Sequence, residues 1–175
     1  MWLMLLSAAP SWAVTVDICY NYDCSTHANV RLTSTQMRDA RELFNHLNTP
    51  RAERDAIALA LGLFAGYAAQ QTPTGNDKGG NVNDGGVDGR MDCIDHAHNT
   101  TAYLQLLKRF GFLRFHEVLP PVERAPLLFN AHWSAQVMEY NTEDKFVVDT
   151  WFRDNGAPAV IFPLDKWLQG ASPDE

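Results

Sequence analysis

The chain has 175 residues, of which 46% are hydrophobic and 20% charged, and this composition predicts one globular domain with a real core. Fourteen Lys and Arg residues against 21 Asp and Glu residues give a net charge of −7. Because nucleic acids and anionic membrane surfaces are bound through clustered Lys and Arg, we expect neither as a partner.

The first thirteen residues have the pattern of a secretory signal peptide. An apolar run, Trp2–Leu6, leads to Ser11-Trp12-Ala13, which has small side chains at the first and third positions before a cut. No Lys or Arg precedes the run, so the alternatives are that the true start lies further upstream or that the segment is not a signal peptide. We expect residues 1–13 to be removed on export and residues 14–175 to form one domain. No later stretch reaches the roughly 20 apolar residues of a membrane-spanning helix, so no span is expected in the mature chain.

Two of the three cysteines lie close together. Cys19 and Cys24 have four residues between them and can close a small disulfide loop in an oxidising compartment, with a pair of buried free thiols as the alternative. An odd cysteine count then leaves Cys93 free. Short strands are expected on either side of the loop, at residues 14–20 and 28–32.

Two helices are expected next. Thr33 and Gln36 form a capping box, which predicts a helix that continues to about Leu47. Pro50 suits the first turn of a second helix, expected over residues 51–71. Since this second segment is apolar on most sides, we expect it to be deeply buried.

Residues 72–90 are rich in Gly, Asn and Asp, and no regular structure is expected there. A loop of this length is often a lid or binding loop, with a flexible connector as the alternative. It leads into a helix that Asp92 caps and Gly111 ends. Cys93 falls in the first turn, where free amides and the helix dipole favour a thiolate, although Asp92 and Asp95 oppose that effect.

The last third of the chain predicts an antiparallel sheet. A strand is expected at 112–119, broken by Pro120-Pro121, and two more at 131–140 and 145–151 with a turn at 141–144. Helices first, the cysteine helix in the middle and the sheet last define an α+β fold.

The final pair of strands carries a histidine and a carboxylate on one face, His132 and Asp149. A symmetric turn at 141–144 places Asp149 opposite Gln136, roughly 13 Å along the strand from His132. Contact between the two therefore requires a turn centred near residues 140–141, or a β-bulge.

Three sequence blocks resemble the Cys, His and Asp blocks of the transglutaminase-like superfamily. They are Met91-Asp92-Cys93-Ile94-Asp95-His96-Ala97, His132-Trp133-Ser134-Ala135-Gln136-Val137 and Phe146-Val147-Val148-Asp149-Thr150-Trp151, with 39 and 17 residues separating Cys93, His132 and Asp149. The resemblance covers residues 92–151 and is greatest to the bacterial periplasmic branch, which contains cysteine proteases. It implies a papain-like core, with Cys93 at the N-terminus of a central helix packed on the C-terminal sheet. Cys93 would attack a carbonyl, His132 would be the base and Asp149 would orient it, in a periplasmic protein.

These roles predict an exported thiol enzyme that hydrolyses peptide or side-chain amides, or transfers the acyl group to an amine, through an acyl-enzyme. A protein or peptide substrate is expected, no cofactor is required, and the oligomeric state stays open. The oxyanion would be stabilised by the Cys93 amide and a second donor among Gln70, Gln71, Asn76 and Asn83. Alternatives are a catalytically silent peptide-binding module of the same fold and a metal-binding protein without turnover.

Some members of that branch bind calcium near the cysteine. The oxygen ligands for calcium here would be Asp84, Asp88, Asp92 and Asp95, with Asn83, although the loop matches no EF-hand. We interpret Asp92 and Asp95 first as helix-start charges. Zinc bound by Cys93, His96 and His98 is a further alternative.

A second histidine near the nucleophile competes for the role of base. His96 lies three residues after Cys93, on the same helical face. No carboxylate other than Asp92 and Asp95 is evidently placed to orient its ring, so we favour His132.

Overall fold

The computed structural model describes residues 12–125 and 131–173. Its elements form a mixed α+β fold with two antiparallel sheets and four α-helices within that part of the chain. The strands are β1 (Ala13–Tyr20), β2 (Thr26–Thr33), β3 (His116–Arg124), β4 (His132–Glu139), β5 (Lys145–Asp149) and β6 (Val160–Pro163). The helices are α1 (Ser34–Glu42), α2 (Pro50–Ala69), α3 (Cys93–Arg109) and α4 (Leu164–Leu168).

Strands β1 and β2 form a two-stranded hairpin whose loop is closed by a disulfide. The predicted Cys19–Cys24 bond is confirmed, with an S–S distance of 2.04 Å, and Cys93 is free. The loop residues 21–24 all have positive φ, between 51° and 72°. The expected signal peptide lies mostly outside the described residues and stays a prediction. Of its last residues, Trp12 stacks on Phe110 with ring centroids 5.5 Å apart.

Helix α1 starts as predicted and ends earlier. The Thr33 and Gln36 capping box is present, which confirms the start. The helix stops at Glu42 instead of Leu47, because the chain turns and His46 has a left-handed backbone with φ 60°. In the segment after the helix, Phe44 packs on Phe112, with ring centroids 5.7 Å apart.

Helix α2 is buried along much of its length, as expected, and it determines where β3 begins. Its Glu53 is fully buried and accepts hydrogen bonds from the backbone amides of Arg114 (2.7 Å) and Phe115 (3.0 Å) and from His116 Nδ1 (2.9 Å). The amides of residues 114 and 115 are therefore used by a side chain and not by a sheet. The predicted strand at 112–119 accordingly begins only at His116.

The four-stranded sheet has the order β3-β4-β5-β6 and corrects one expectation. Pro120-Pro121 was expected to break the strand, but β3 continues to Arg124. A β-bulge between Leu119 and Val122 accommodates the two prolines. Gln136 on β4 donates to the carbonyl of Pro120 at 2.7 Å and supports the bulge. Strand β6 and helix α4 were not predicted.

The loop at 72–90 is packed against the rest of the molecule. It contains a short 3-10 helix, Pro73–Asn76, where no regular structure was expected. Further along, the Gly80 amide donates to the Trp151 carbonyl (2.8 Å) and Arg90 pairs with Asp84 (2.9 Å). The loop therefore brings polar residues to fixed positions beside the start of α3.

Helix α3 lies between the hairpin, α2 and the four-stranded sheet. Asp92 caps its N-terminus, and Gly111, with φ 69°, follows its C-terminus, both as predicted. Buried side chains from α2, α3 and both sheets form the core, among them Val30, Phe64, Leu104, Leu107, Val137 and Val148. Within the described residues, no helix has both the length and the apolar character required to cross a bilayer.

Candidate active site

A groove of about 600 Å³ lies where the start of α3 meets the start of β4. The disulfide loop, the loop at 72–90 and the end of β3 complete its walls. Residues that line it include Tyr22, Asn81, Cys93, Arg124, His132 and Trp151. Two of the three residues predicted to be catalytic therefore face one space.

Cys93 is the first residue of α3 and is half-buried. Its Sγ lies 4.0 Å from the carbonyl oxygen of Ala131, the residue before β4. The capping carboxylate of Asp92 accepts from the amides of Ile94 (2.9 Å) and Asp95 (3.0 Å), the first and second residues after the cysteine. The thiol consequently sits at a helix N-terminus, where the dipole favours negative charge on sulfur.

His132 and Asp149 are in direct contact. His132 Nε2 and Asp149 Oδ2 are 2.8 Å apart, and both residues are buried. Ala135 is opposite Val148 in the β4 and β5 pairing, so Asp149 lies diagonally across from His132, two residues along. The observed pairing of β4 with β5 is shifted by two residues from the pairing that a symmetric turn would give. Asp149 and His132 are therefore only two residues out of register, and side chains on such a diagonal can make contact.

Two tryptophans hold the Asp149 carboxylate in place. Oδ2 also accepts from Trp167 Nε1 at 3.2 Å, and Oδ1 accepts from the Trp151 amide at 3.0 Å. Trp167 is fully buried and belongs to α4, which the sequence did not predict. The rings of Trp151, Phe152 and Trp167 surround His132, with centroids 4.9, 5.7 and 5.7 Å away. This aromatic surround limits water access to the imidazole.

The surroundings of His132 raise its pKa. Burial by itself lowers the pKa of His132, but the hydrogen bond to Asp149 and the interaction with Cys93 outweigh it and raise the pKa to about 9. Because Nε2 is bonded to Asp149, Nδ1 is the ring nitrogen left for Cys93. The imidazole of His132 therefore lies between the thiol of Cys93 and the carboxylate of Asp149.

Asp92 and Asp95 anchor the disulfide loop to α3. The Asp95 carboxylate accepts from the amides of Tyr22 (2.9 Å), Cys24 (2.7 Å) and Asp92 (3.0 Å), and burial raises its pKa. Asp92 Oδ2 accepts from the amide of Asp23 at 3.0 Å. Their oxygens are thus used by backbone donors, consistent with their interpretation as helix-start charges.

The other two calcium candidates have separate protein partners. Asp84 accepts from Tyr22 Oη and Asn81 Nδ2, both at 2.7 Å, and pairs with Arg90. Asp88 Oδ1 accepts from Asn21 Nδ2 at 3.1 Å. Among the described residues, no three of the four candidate carboxylates converge, nor do the predicted zinc ligands Cys93, His96 and His98. Calcium binding stays an untested prediction.

His96 is oriented by a carboxylate that sequence reasoning missed. Its Nε2 lies 3.1 Å from Asp77 Oδ2, and its Nδ1 lies 2.8 Å from Thr150 Oγ1. The expectation that only Asp92 and Asp95 could serve it was wrong, because the loop at 72–90 folds Asp77 into the interior, where it is 1% exposed. Both ring nitrogens are occupied, so neither is available to Cys93.

The second oxyanion donor has a candidate that was not predicted. Asn81 is the one side-chain amide among the described residues that line the groove, and its Nδ2 donates to Asp84 at 2.7 Å. Of the predicted donors, Gln71 bonds the backbone of Arg31 and Asn76 bonds the carbonyl of Asp88. Gln70 and Asn83 are not among the described residues that line the groove.

The chain matches no protein-family model, no curated protein and no solved structure. The resemblance to the transglutaminase-like superfamily therefore depends on the three sequence blocks. The class that the coordinates define is coarser. It is an α+β protein in which a helix starting with a free cysteine packs on an antiparallel sheet that carries a His and Asp pair.

Proposed function

We propose that the protein is a thiol enzyme of the transglutaminase-like type, with a papain-like core, that acts on peptide or side-chain amides. The observation that carries the proposal is the shared groove: Cys93 and His132 line it, and Asp149 lies 2.8 Å behind the imidazole. A nucleophile, a base and a residue that orients the base are the set that thiol catalysis requires.

In the resting enzyme, we assign the proton that Cys93 and His132 could each carry to His132. With its pKa raised to about 9, the imidazole is a cation at neutral pH. A cation and a helix N-terminus on either side of Cys93 both favour the thiolate, which is the reactive form of the side chain. Asp149 keeps the ring oriented with Nδ1 towards the sulfur.

The reaction would begin when the Cys93 thiolate attacks the carbonyl carbon of the amide. The resulting oxyanion would accept a hydrogen bond from the Cys93 backbone amide and, after rotation away from Asp84, from Asn81 Nδ2. His132 would then donate its proton to the leaving nitrogen, and the C–N bond would break to give an acyl-enzyme. Attack by water or by an amine, with His132 accepting the proton, would release the acyl group and restore the thiolate.

The groove suits a short stretch of polypeptide. Its volume of about 600 Å³ falls in the range of pockets that bind drug-sized ligands. Trp151 and Tyr22 offer apolar contact area, and Arg124 adds a cation at the edge of β3. These features favour a peptide or protein substrate over a small polar metabolite.

Alkylation of the thiol provides the first test of the proposal. In the oxidised protein Cys93 is the free cysteine, so iodoacetamide labelling can be followed by mass spectrometry from pH 5 to 9. We expect Cys93 to react faster than free cysteine at pH 6, because a helix N-terminus and the imidazole of His132 lie beside its sulfur. A rate profile that follows an ordinary thiol would contradict the proposed ion pair.

Turnover is tested separately with labelled casein and a fluorescent primary amine. Peptide release indicates hydrolysis and amine incorporation indicates acyl transfer, and Cys93→Ser should abolish either activity. Rapid alkylation without turnover on peptide or protein amides would favour the silent peptide-binding alternative.

A further inference from the structure

A second cluster of side chains lies where the hairpin meets α3, and none of its residues lines the groove. It is formed by Asp17 on β1, His27 on β2 and His98 on α3. His27 Nδ1 is 2.9 Å from Asp17 Oδ2, and His98 Nε2 is 3.5 Å from the same oxygen. One ligand atom from each of the three residues lies within 4.8 Å of the other two. Two imidazoles and a carboxylate therefore converge on one point.

The cluster is positioned by secondary structure and not by a flexible loop. Cys19 is opposite His27 in the hairpin, and Asp17, two residues before Cys19, projects to the same face. Next to His98, the Asn99 side chain bonds the backbone of Cys19 twice, at 2.7 and 2.8 Å. These bonds lock α3 to β1, so the three side chains are held together before any ligand arrives.

One atom of the cluster lacks a partner. His98 Nε2 is shielded from solvent and makes no hydrogen bond within the described residues, although the carboxylate of Asp17 lies 3.5 Å away. A covered polar atom without a partner is unfavourable. An ion placed between the two histidines and Asp17 would bond this nitrogen and satisfy it.

We propose that Asp17, His27 and His98 bind a divalent transition-metal ion of the zinc type. Zinc bonds to imidazole nitrogen and carboxylate oxygen are about 2.0 to 2.2 Å long, which puts tetrahedral ligand atoms roughly 3.4 Å apart. The separations of 2.9 and 3.5 Å are close to that value. With two nitrogen ligands among three, the site favours zinc, copper or nickel over calcium or magnesium.

The bound ion would tie the hairpin to α3, the helix that begins with Cys93. Because Asp17 and His27 are half-exposed, one side of the ion would remain open to water as a fourth ligand. The cluster contains none of Cys93, His132 and Asp149, so this proposal does not depend on the proposed enzymatic function.

Isothermal titration of tag-free, oxidised protein with zinc chloride tests the site. Cys93→Ala is used as the background so that the thiol and His132 do not bind zinc together. We expect one ion per chain and a thermal midpoint that rises with zinc concentration. Asp17→Asn, His27→Ala and His98→Ala should each weaken binding by at least about tenfold, since even residues behind the ligands contribute that much.

His46→Asn is the matched control, because His46 is an exposed histidine outside the cluster and Asn tolerates its left-handed backbone. It should bind zinc as the background does. Melting in metal-free buffer shows whether each ligand variant is folded, and half-exposed His27 provides the test if His98→Ala is destabilised. Unchanged affinity in a folded ligand variant, or no saturable binding at micromolar zinc, would overturn the proposal. Equally tight calcium binding at the same residues would overturn the assignment of the site to a transition-metal ion of the zinc type.

Discussion

Two histidine and carboxylate pairs lie near the start of the Cys93 helix, and they look alike at first. His132 and Asp149 are 2.8 Å apart, and His96 and Asp77 are 3.1 Å apart. Both carboxylates are almost completely buried, at 2% and 1% exposure. A carboxylate partner and a position near the cysteine are therefore shared by both histidines and do not distinguish them.

The two pairs differ in the second ring nitrogen. The second nitrogen of His96 is bonded to Thr150 at 2.8 Å, whereas the second nitrogen of His132 is left to the groove and the thiol. A general base needs a free nitrogen within reach of the proton it moves. An imidazole with both nitrogens bonded, such as that of His96, is a structural element, whereas an imidazole with one open nitrogen, such as that of His132, could act as a base.

Replacing each histidine with alanine should change the enzymatic activity to very different extents. We expect His132→Ala to reduce kcat/KM by about a thousandfold or more, as much as Cys93→Ala, because residues that act as a unit are lost together. His96→Ala should keep most of the activity per folded molecule, and Asp149→Asn should fall between. Full activity in His132→Ala with loss in His96→Ala would reverse the assignment.

The next effect is a pH dependence of stability to which His132 in the groove should contribute. The pKa of His132 is about 9 in the folded state and 6.5 for the unperturbed side chain, so its proton stabilises the folded protein. That contribution is fully present below pH 6.5 and is lost as the pH rises through about 9. The shift corresponds to at most about 3 kcal/mol.

Urea unfolding at pH 6, 7.5 and 9 measures this dependence. His132→Gln should show a smaller loss of stability between pH 6 and 9 than the wild type. Asp149→Asn should also flatten the profile, since it removes the hydrogen bond that raises the pKa of His132. His46→Asn, in an exposed position, should keep the wild-type slope. Identical profiles in all four proteins would contradict the charged imidazole.

The smallest effect concerns the stability that the His96 and Asp77 pair provides. His96→Ala leaves the Asp77 carboxylate without its imidazole partner, and we expect the free energy of unfolding to fall by about 1 to 3 kcal/mol. The alkylation rate of Cys93 should remain unchanged. Chemical denaturation and iodoacetamide kinetics on the same samples check both statements. A variant with native stability and slow alkylation would show that His96 acts on the thiol.

Local hydrogen bonds made the helix starts readable from the sequence. The Thr33 and Gln36 capping box and the Asp92 cap are both present, because each involves groups within three residues. The path of β3 was not readable. Its late start depends on Glu53, 61 residues before Arg114, and its continuation through the prolines depends on Gln136 from another strand.

The same division between local and long-range contacts applies to the site. Cys93 at a helix start is a local pattern, and the shared face of His132 and Asp149 follows from strand alternation. Their register depended on the centre of a turn, which composition alone did not fix. Asp77 and Trp167 reach their partners across 19 and 18 residues, Asp77 from a loop whose path was not predicted and Trp167 from α4, which was not predicted at all.

The position of Tyr22 would couple ligand binding in the groove to the redox state of the disulfide loop. Tyr22 lies between the two bonded cysteines, lines the groove and donates its hydroxyl to Asp84 at 2.7 Å. A ligand that contacts Tyr22 in this position binds the closed loop, and the disulfide is what holds the loop closed covalently. This coupling is reciprocal. If such a ligand binds the oxidised loop more tightly than the reduced loop, it lowers the reduction potential of the Cys19–Cys24 pair by the same free energy.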